Sequence, residues 1–225
     1  MRRLVSLSRS LMGKKIMMAV TGLILFLFVV GHLFGNLKVF EGADKFNAYA
    51  EGLRTVGAPF FGRGQLLWIV RIVLLLAVGV HAWAALLVTR ASARARTVGY
   101  ERLESQETTY AARTLRWGGV LLILYIVYHL LDLTFGRVNP GFVPGNVYHN
   151  LVVSFSAWPV ATGYIVAMLV LGLHLYHGLW SAFQTLGLNR PPTYGWRRGL
   201  AGLVAVAITG GYITIPVAVL LGAVR

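Results

Sequence analysis

Six histidines occur in the 225-residue sequence, and four of them, His32, His81, His129 and His174, lie well inside long apolar runs. An ionisable ring is expensive to hold in hydrocarbon and is by default a candidate functional residue. One such histidine can be a satisfied packing residue, but one on each of four successive runs is hard to explain that way. A neutral imidazole is a good metal ligand, and its second ring nitrogen then needs an acceptor of its own. Imidazoles also carry protons, so a proton relay is the competing chemistry. The runs hold little carboxylate (Asp132 lies near one end), which weighs against proton-coupled transport.

The elements that must position these rings follow from composition. The chain is 57% hydrophobic and 12% charged, with a mean hydropathy of +0.68. Its charge fraction is about half that of a soluble domain. Uncharged or nearly uncharged stretches cover about residues 16–37, 65–89, 115–134, 151–183 and 200–221, and each reaches the roughly 20 residues that a spanning helix needs. The fold class expected is therefore an all-α integral membrane protein. It forms a single membrane domain over 1–225, with five transmembrane helices and a four-helix core that carries the histidines. The fourth run is long enough for a tilted helix with an interfacial first turn, and Pro159 marks a kink or the start of its regular part. A short surface helix is expected near residues 43–54. The first apolar run exceeds a signal-peptide core and no small-residue cleavage site follows it, so it reads as a span.

A net charge of +14 invites a nucleic-acid reading. The distribution excludes it, because the basic residues gather in the short connectors, as the positive-inside rule describes. Fourteen Lys and Arg fall in the N-terminal leader and in the second-to-third and fourth-to-fifth connectors; six fall on the opposite side, and Arg71 is left within the second span. The N-terminus is thus expected in the cytoplasm and the C-terminus outside, in a cell inner or cytoplasmic membrane. Anionic membrane lipid or an acidic partner face is the natural counterpart of the basic connectors, including Lys14 and Lys15. With no cysteine, the chain itself holds no disulfide, iron–sulfur cluster or thiol chemistry.

Direction converts spacing into depth. His32 lies 17 residues beyond Lys15 and His129 lies 13 beyond Arg116, or about 25 and 20 Å from the cytoplasmic flank at 1.5 Å per residue. His81 is 9 residues from Arg90, and His174 is 9 from Phe183, both about 13 Å deep. The rings therefore sort into an outer pair, His32 with His129, and an inner pair, His81 with His174. Two pairs at two depths are what two bis-imidazole haems need. They cannot converge on one zinc ion. Small residues beside the rings, Gly31, Gly35, Gly79, Ala82, Gly172 and Gly178, make room for a macrocycle or for close helix approach.

Lesser candidates surround this set. His177, one turn beyond His174, is a candidate haem-propionate or quinone contact, or an alternative inner ligand. Arg71 either snorkels to the interface or pairs with an outer propionate. Asp132 is expected to pair with Arg137 or Arg71, or to border an outer quinone pocket. His149 reads as interfacial.

The chain resembles the membrane-anchor cytochrome b subunit of succinate:quinone oxidoreductases (succinate dehydrogenase and fumarate reductase) in its single-subunit, five-helix, dihaem form. The resemblance covers nearly the whole chain from about Ser10. It is carried by Gly13-Lys14-Lys15, Gly31-His32-Leu33-Phe34-Gly35-Asn36, His81-Ala82-Trp83, Tyr128-His129-Leu130 and His174-Leu175-Tyr176-His177-Gly178-Leu179-Trp180-Ser181. It implies two haem b groups, the outer, low-potential one on His32 and His129 and the inner, high-potential one on His81 and His174. The family position matching His177 is often not histidine. The resemblance also implies a flavoprotein subunit and an iron–sulfur subunit on the cytoplasmic face, and allows a higher oligomer of the whole complex. Electrons would leave to a quinone, with menaquinone implied near the outer haem. Dicarboxylate catalysis would belong to the flavoprotein, leaving this chain no catalytic residue. Competing readings are a cytochrome b of another quinone-linked dehydrogenase and a haem-free transporter or anchor.

Overall fold

The computed structural model describes residues 10–94, 110–185, 187 and 194–225. Arg2, Arg3, Arg9, Arg96, Arg102 and Arg190, counted above in the basic leader and connectors, lie outside the described residues. The fold is all-α, and no strand occurs among the described residues. Helix α1 runs Leu11–Leu37 and α2 runs Ala43–Gly52, where a short helix is expected. Helix α3 spans Gln65–Arg94, and α4 spans Tyr110–His129 before continuing as a π-helical turn, Leu130–Thr134. Then come α5, Val147–Ser156, α6, Trp158–Thr185, and α7, Tyr194–Leu220.

Five of these helices, α1, α3, α4 with its π turn, α6 and α7, are long and apolar enough to cross a bilayer. Large apolar side chains stay exposed along them, among them Leu75 at 63%, Leu203 at 67% and Val206 at 71%. Such a surface is far more apolar than water tolerates and suits a surround of acyl chains. Ser10 caps α1, its hydroxyl accepting from the Gly13 amide at 2.9 Å. The helix therefore begins a turn before the uncharged run does, and Lys14 and Lys15 ride on its first turns.

The run from 151 to 183 is two helices rather than one tilted span. Ala157 adopts extended backbone (φ −80°, ψ 104°) between α5 and α6. Pro159 then sits in the first turn of α6, where its missing N–H costs nothing. Helix α5 packs against α2, α6 and α7 at the Leu37 end of the bundle. Buried Val39, Phe46, Leu151, Phe155 and Tyr164 form the larger core cluster there. Its polar lid is stitched by side-chain amides. Asn150 accepts from the Val143 amide at 2.7 Å and donates to the Val143 carbonyl at 2.9 Å. Asn47 of α2 donates to Asn146 at 3.1 Å and accepts from the Tyr148 amide at 3.0 Å. His149 reaches the Gly141 carbonyl at 3.0 Å.

Around the bundle, α3 packs extensively on α1, α4 on α6, and α7 on α6, with α1 also against α6 and α7. Two glycines set close approaches. A Cβ on Gly35 would lie 2.8–3.2 Å from the Tyr49 ring, so glycine lets α2 fold back onto α1. A Cβ on Gly172 would lie 2.5 Å from Thr209 Oγ1, and that hydroxyl bonds the Met168 carbonyl across α6 and α7. Gly31, Gly79 and Gly178 border open space instead. Replacing Gly172 with Val should destabilise the α6–α7 seam by about 1–3 kcal/mol. Thr209→Ala should recover part of that loss in the double variant, and thermal unfolding of the purified protein in detergent measures both.

Candidate functional site

The four span histidines meet in two pairs. His32 of α1 and His129 of α4 have ring centroids 6.0 Å apart at an interplanar angle of 86°. His81 of α3 and His174 of α6 have centroids 6.1 Å apart at 60°. Neither pair joins helices that pack closely on one another. The packing partners are α1 with α3 and α4 with α6, so each pair reaches across the bundle between helices that run in the same direction.

Cross-helix contacts set the levels. His81 Nδ1 lies 3.0 Å from the Met18 carbonyl and 3.3 Å from the Thr21 hydroxyl. A Cβ on Gly22 would lie 3.2 Å from the same ring. The inner pair therefore sits beside residues 18–22 of α1, ten or more residues before His32. At 1.5 Å per residue the two pairs are about 15–21 Å apart along the helix. That is a wider separation than counting from charged flanks suggests.

Each pair is held from behind. A carbonyl can only accept, so His81 must donate from Nδ1 to Met18, which leaves Nε2 with its lone pair. In the outer pair, Tyr164 Oη donates to Asp132 Oδ2 at 2.8 Å and lies 3.4 Å from His129 Nδ1. Its proton is committed to the carboxylate, so the phenol oxygen accepts from His129. Again Nε2 keeps a lone pair. Ser154 donates to the same Asp132 oxygen at 2.6 Å. His32 stacks on Phe28 at 5.1 Å and lies 6.3 Å from Tyr212, whose hydroxyl donates to the Val29 carbonyl at 2.7 Å. His174 Nδ1 is buried without a partner.

Asp132 departs from the expected pairing with Arg137 or Arg71. It is 2% exposed and bonded to two hydroxyls, and the described ion pairs include neither Arg137 nor Arg71 with it. The cause is the π turn. The Phe135 amide bonds the Leu130 carbonyl at 2.8 Å, an i→i−5 closure that adds a residue to the turn and re-aims Asp132. Gly136, at φ +65°, then ends the helix with the Arg137 amide on the Leu131 carbonyl at 2.7 Å. Single wide turns of this kind recur at functional sites. Thr21, Tyr164, Ser154 and Tyr212 join the site without having been singled out from sequence. A tyrosine deep in a span was the one available signal, since a buried phenol needs a partner.

His177 lies one turn past His174, half-buried, and joins neither ring pair. Arg71 stands over the Trp68 ring at 4.9 Å and lines a pocket with Arg54 and Arg63. Among the described residues no group of three or more His, Cys, Asp or Glu gathers as a metal site. The arrangement is one of pairs.

Two metal–nitrogen bonds of about 2 Å and two ring radii of about 1.1 Å would put the centroids of two imidazoles sharing one metal about 6.2 Å apart. Both pairs match that spacing. The donor set therefore fits a flat macrocycle that supplies its own equatorial nitrogens and takes one imidazole on each face.

Comparison with family models, with curated proteins and with solved structures returns no match. What fold and site define is a class: an all-α, multi-pass membrane-type protein with five apolar helices, four of which bring histidines together in two pairs at two levels.

Tyr164→Phe should cost about 1–3 kcal/mol, because it removes one of the two hydroxyl donors to a buried carboxylate and the acceptor of His129. Tyr125→Phe, whose ring packs on Tyr164 at 5.2 Å, should cost much less. Denaturant or thermal unfolding of both variants side by side checks the difference.

Proposed function

We propose that the chain is a dihaem cytochrome b membrane anchor, passing electrons between a cytoplasmic iron–sulfur subunit and a quinone in a succinate:quinone oxidoreductase. The single observation that carries the proposal is the spacing of the two histidine pairs, 6.0 and 6.1 Å between centroids. His32 and His129 would hold the outer haem b, and His81 and His174 the inner one. Bound there, each haem would supply one-electron chemistry at its iron; the protein contributes ligation, distance and dielectric.

The chain's own residues prepare that role. The Met18 carbonyl and the Tyr164–Asp132 chain engage Nδ1 of His81 and His129, which leaves Nε2 of each ring as the nitrogen free to ligate. Thr21 steadies the His81 ring from α1, and Phe28 and Tyr212 flank His32. Succinate as the ultimate donor, menaquinone as the acceptor, and the flavoprotein and iron–sulfur partners rest on the sequence resemblance. So does the N-in orientation in the cytoplasmic membrane, together with the charge count of the connectors. His177 is assigned to the neighbourhood of the inner haem, one turn nearer the connector face.

The test is the reduced-minus-oxidised absorption spectrum of the purified chain with a pyridine haemochrome assay. Two b haems per chain are expected. His32→Ala or His129→Ala should remove one spectral component and spare the other, and His81→Ala or His174→Ala should do the reverse. A folded protein that takes up no haem sinks the proposal. Co-purification with a flavoprotein and an iron–sulfur protein tests the assignment to this complex, and its failure with both haems present would move the chain to another dehydrogenase.

A further inference from the structure

The loop that joins α2 to α3 folds back on itself, with the Gly64 amide donating to the Arg54 carbonyl. That closure brings Arg54 and Arg63 to the first turns of α3, where Arg71 lies. The three guanidinium residues, with Gly64, Leu67 and Trp68, line a pocket of about 320 Å³. This is within the range of small-ligand sites. It opens at the N-terminal end of α3, the end whose helix dipole favours an anion. The carboxylate of Glu51 is the counter-charge: it bonds Arg54 at 3.3 Å and also pairs with Arg63. Arg71 has no carboxylate partner in the described ion pairs, and stands over Trp68 instead. One carboxylate therefore faces three guanidinium groups, and the pocket keeps an excess of positive charge.

Its surroundings are apolar and outward-facing. Phe60 is 92% exposed, Trp68 60% and Val56 50%, and Phe61 lies beside them. A loop that presents phenylalanines at the end of a spanning helix, next to an exposed tryptophan, sits at the depth of the headgroups and upper acyl chains. A pocket for a soluble anion has no use for that rim. Neither histidine of the outer pair lines the pocket, which separates it from the ligation site.

We propose that this pocket binds the phosphate of an anionic phospholipid, with Arg71 as the principal contact, Arg54 and Arg63 as shared contacts, and Phe60 and Phe61 against the acyl chains. The shared chemistry is a phosphate oxyanion held by guanidinium groups, which match it in a planar fork. The site is independent of whether the histidine pairs hold haem.

Native mass spectrometry of the purified full chain in detergent, titrated with phosphatidylglycerol, phosphatidylcholine or inorganic phosphate, tests the proposal. One tightly retained phosphatidylglycerol is expected, at least tenfold tighter than phosphatidylcholine. Arg71→Gln should weaken it about tenfold, and it leaves no carboxylate newly unpaired. Phe60→Ser with Phe61→Ser should weaken lipid retention on its own, and millimolar inorganic phosphate should compete poorly. Equal retention of both lipids, or unchanged retention in Arg71→Gln of unaltered thermal stability, overturns the proposal. Competition by inorganic phosphate at equal strength, with no effect of the phenylalanine changes, assigns the pocket to a soluble anion and also overturns it. Loss of a haem component in Arg71→Gln with lipid retention intact overturns it in favour of a propionate contact.

Discussion

A polar group inside hydrocarbon has no water to bond, so a partner within the chain is worth more to it than in water. Four imidazoles held on four spanning helices make that need the organising constraint of the bundle. His81 meets it by reaching across to a backbone carbonyl of α1. His129 meets it through Tyr164 and Asp132, and Asp132 in turn takes a second hydroxyl from Ser154. The second solution recruits a new element, because Ser154 belongs to the short helix α5 that closes the end of the bundle. The packing of α5 against α2, and the asparagine-stitched lid above it, therefore serve the same end as the histidine itself. They keep a buried carboxylate bonded and dry.

Topology explains why the pairs form across the bundle rather than between neighbours. Helices α1 and α3, and likewise α4 and α6, lie antiparallel and side by side. Residues at equal depth on such neighbours fall at mirrored distances from opposite ends. Diagonal partners run in the same direction, so His32 and His129 count upward from similar basic flanks, while His81 and His174 count down towards theirs. The fifth spanning helix completes the arrangement from the side. Tyr212 flanks His32 and anchors to the Val29 carbonyl, Thr209 bonds α6, and Arg198 donates to Tyr176 at 2.8 Å, beside the His174 turn. A helix without a histidine of its own thus touches both levels.

The spanning helices and the sorting of the histidines into two pairs were legible from hydropathy, charged flanks and helix rise alone. These quantities are set by the solvent, and the bilayer imposes them on any chain. The misses are local. Ala157 breaks the fourth run without any charge or glycine to betray it, and Pro159 is compatible both with a kink and with a first turn. Of the two expectations for Asp132, the pairing with Arg137 or Arg71 is absent from the described ion pairs. The π turn after His129 inserts one residue, and no periodicity read from sequence can anticipate it. Gly35 and Gly172 resemble Gly31 and Gly79 in the sequence, yet only the first two carry close approaches. That difference lies in which side chain stands opposite, Tyr49 or Thr209, and so in the fold.

The two pairs differ in how they are backed, and the difference has a consequence for the proposed reading. Carbonyl backing holds a ring in place and modestly strengthens it as a donor. Backing through a phenol to a carboxylate pushes more electron density onto the imidazole, and a more basic ligand favours the higher oxidation state of a bound metal. His129 has that carboxylate backing, and His81 does not. With iron in both pairs, the outer site would therefore be the harder to reduce. By turning Asp132 inward, the wide turn at Leu130–Thr134 gives the two levels of the bundle different backing.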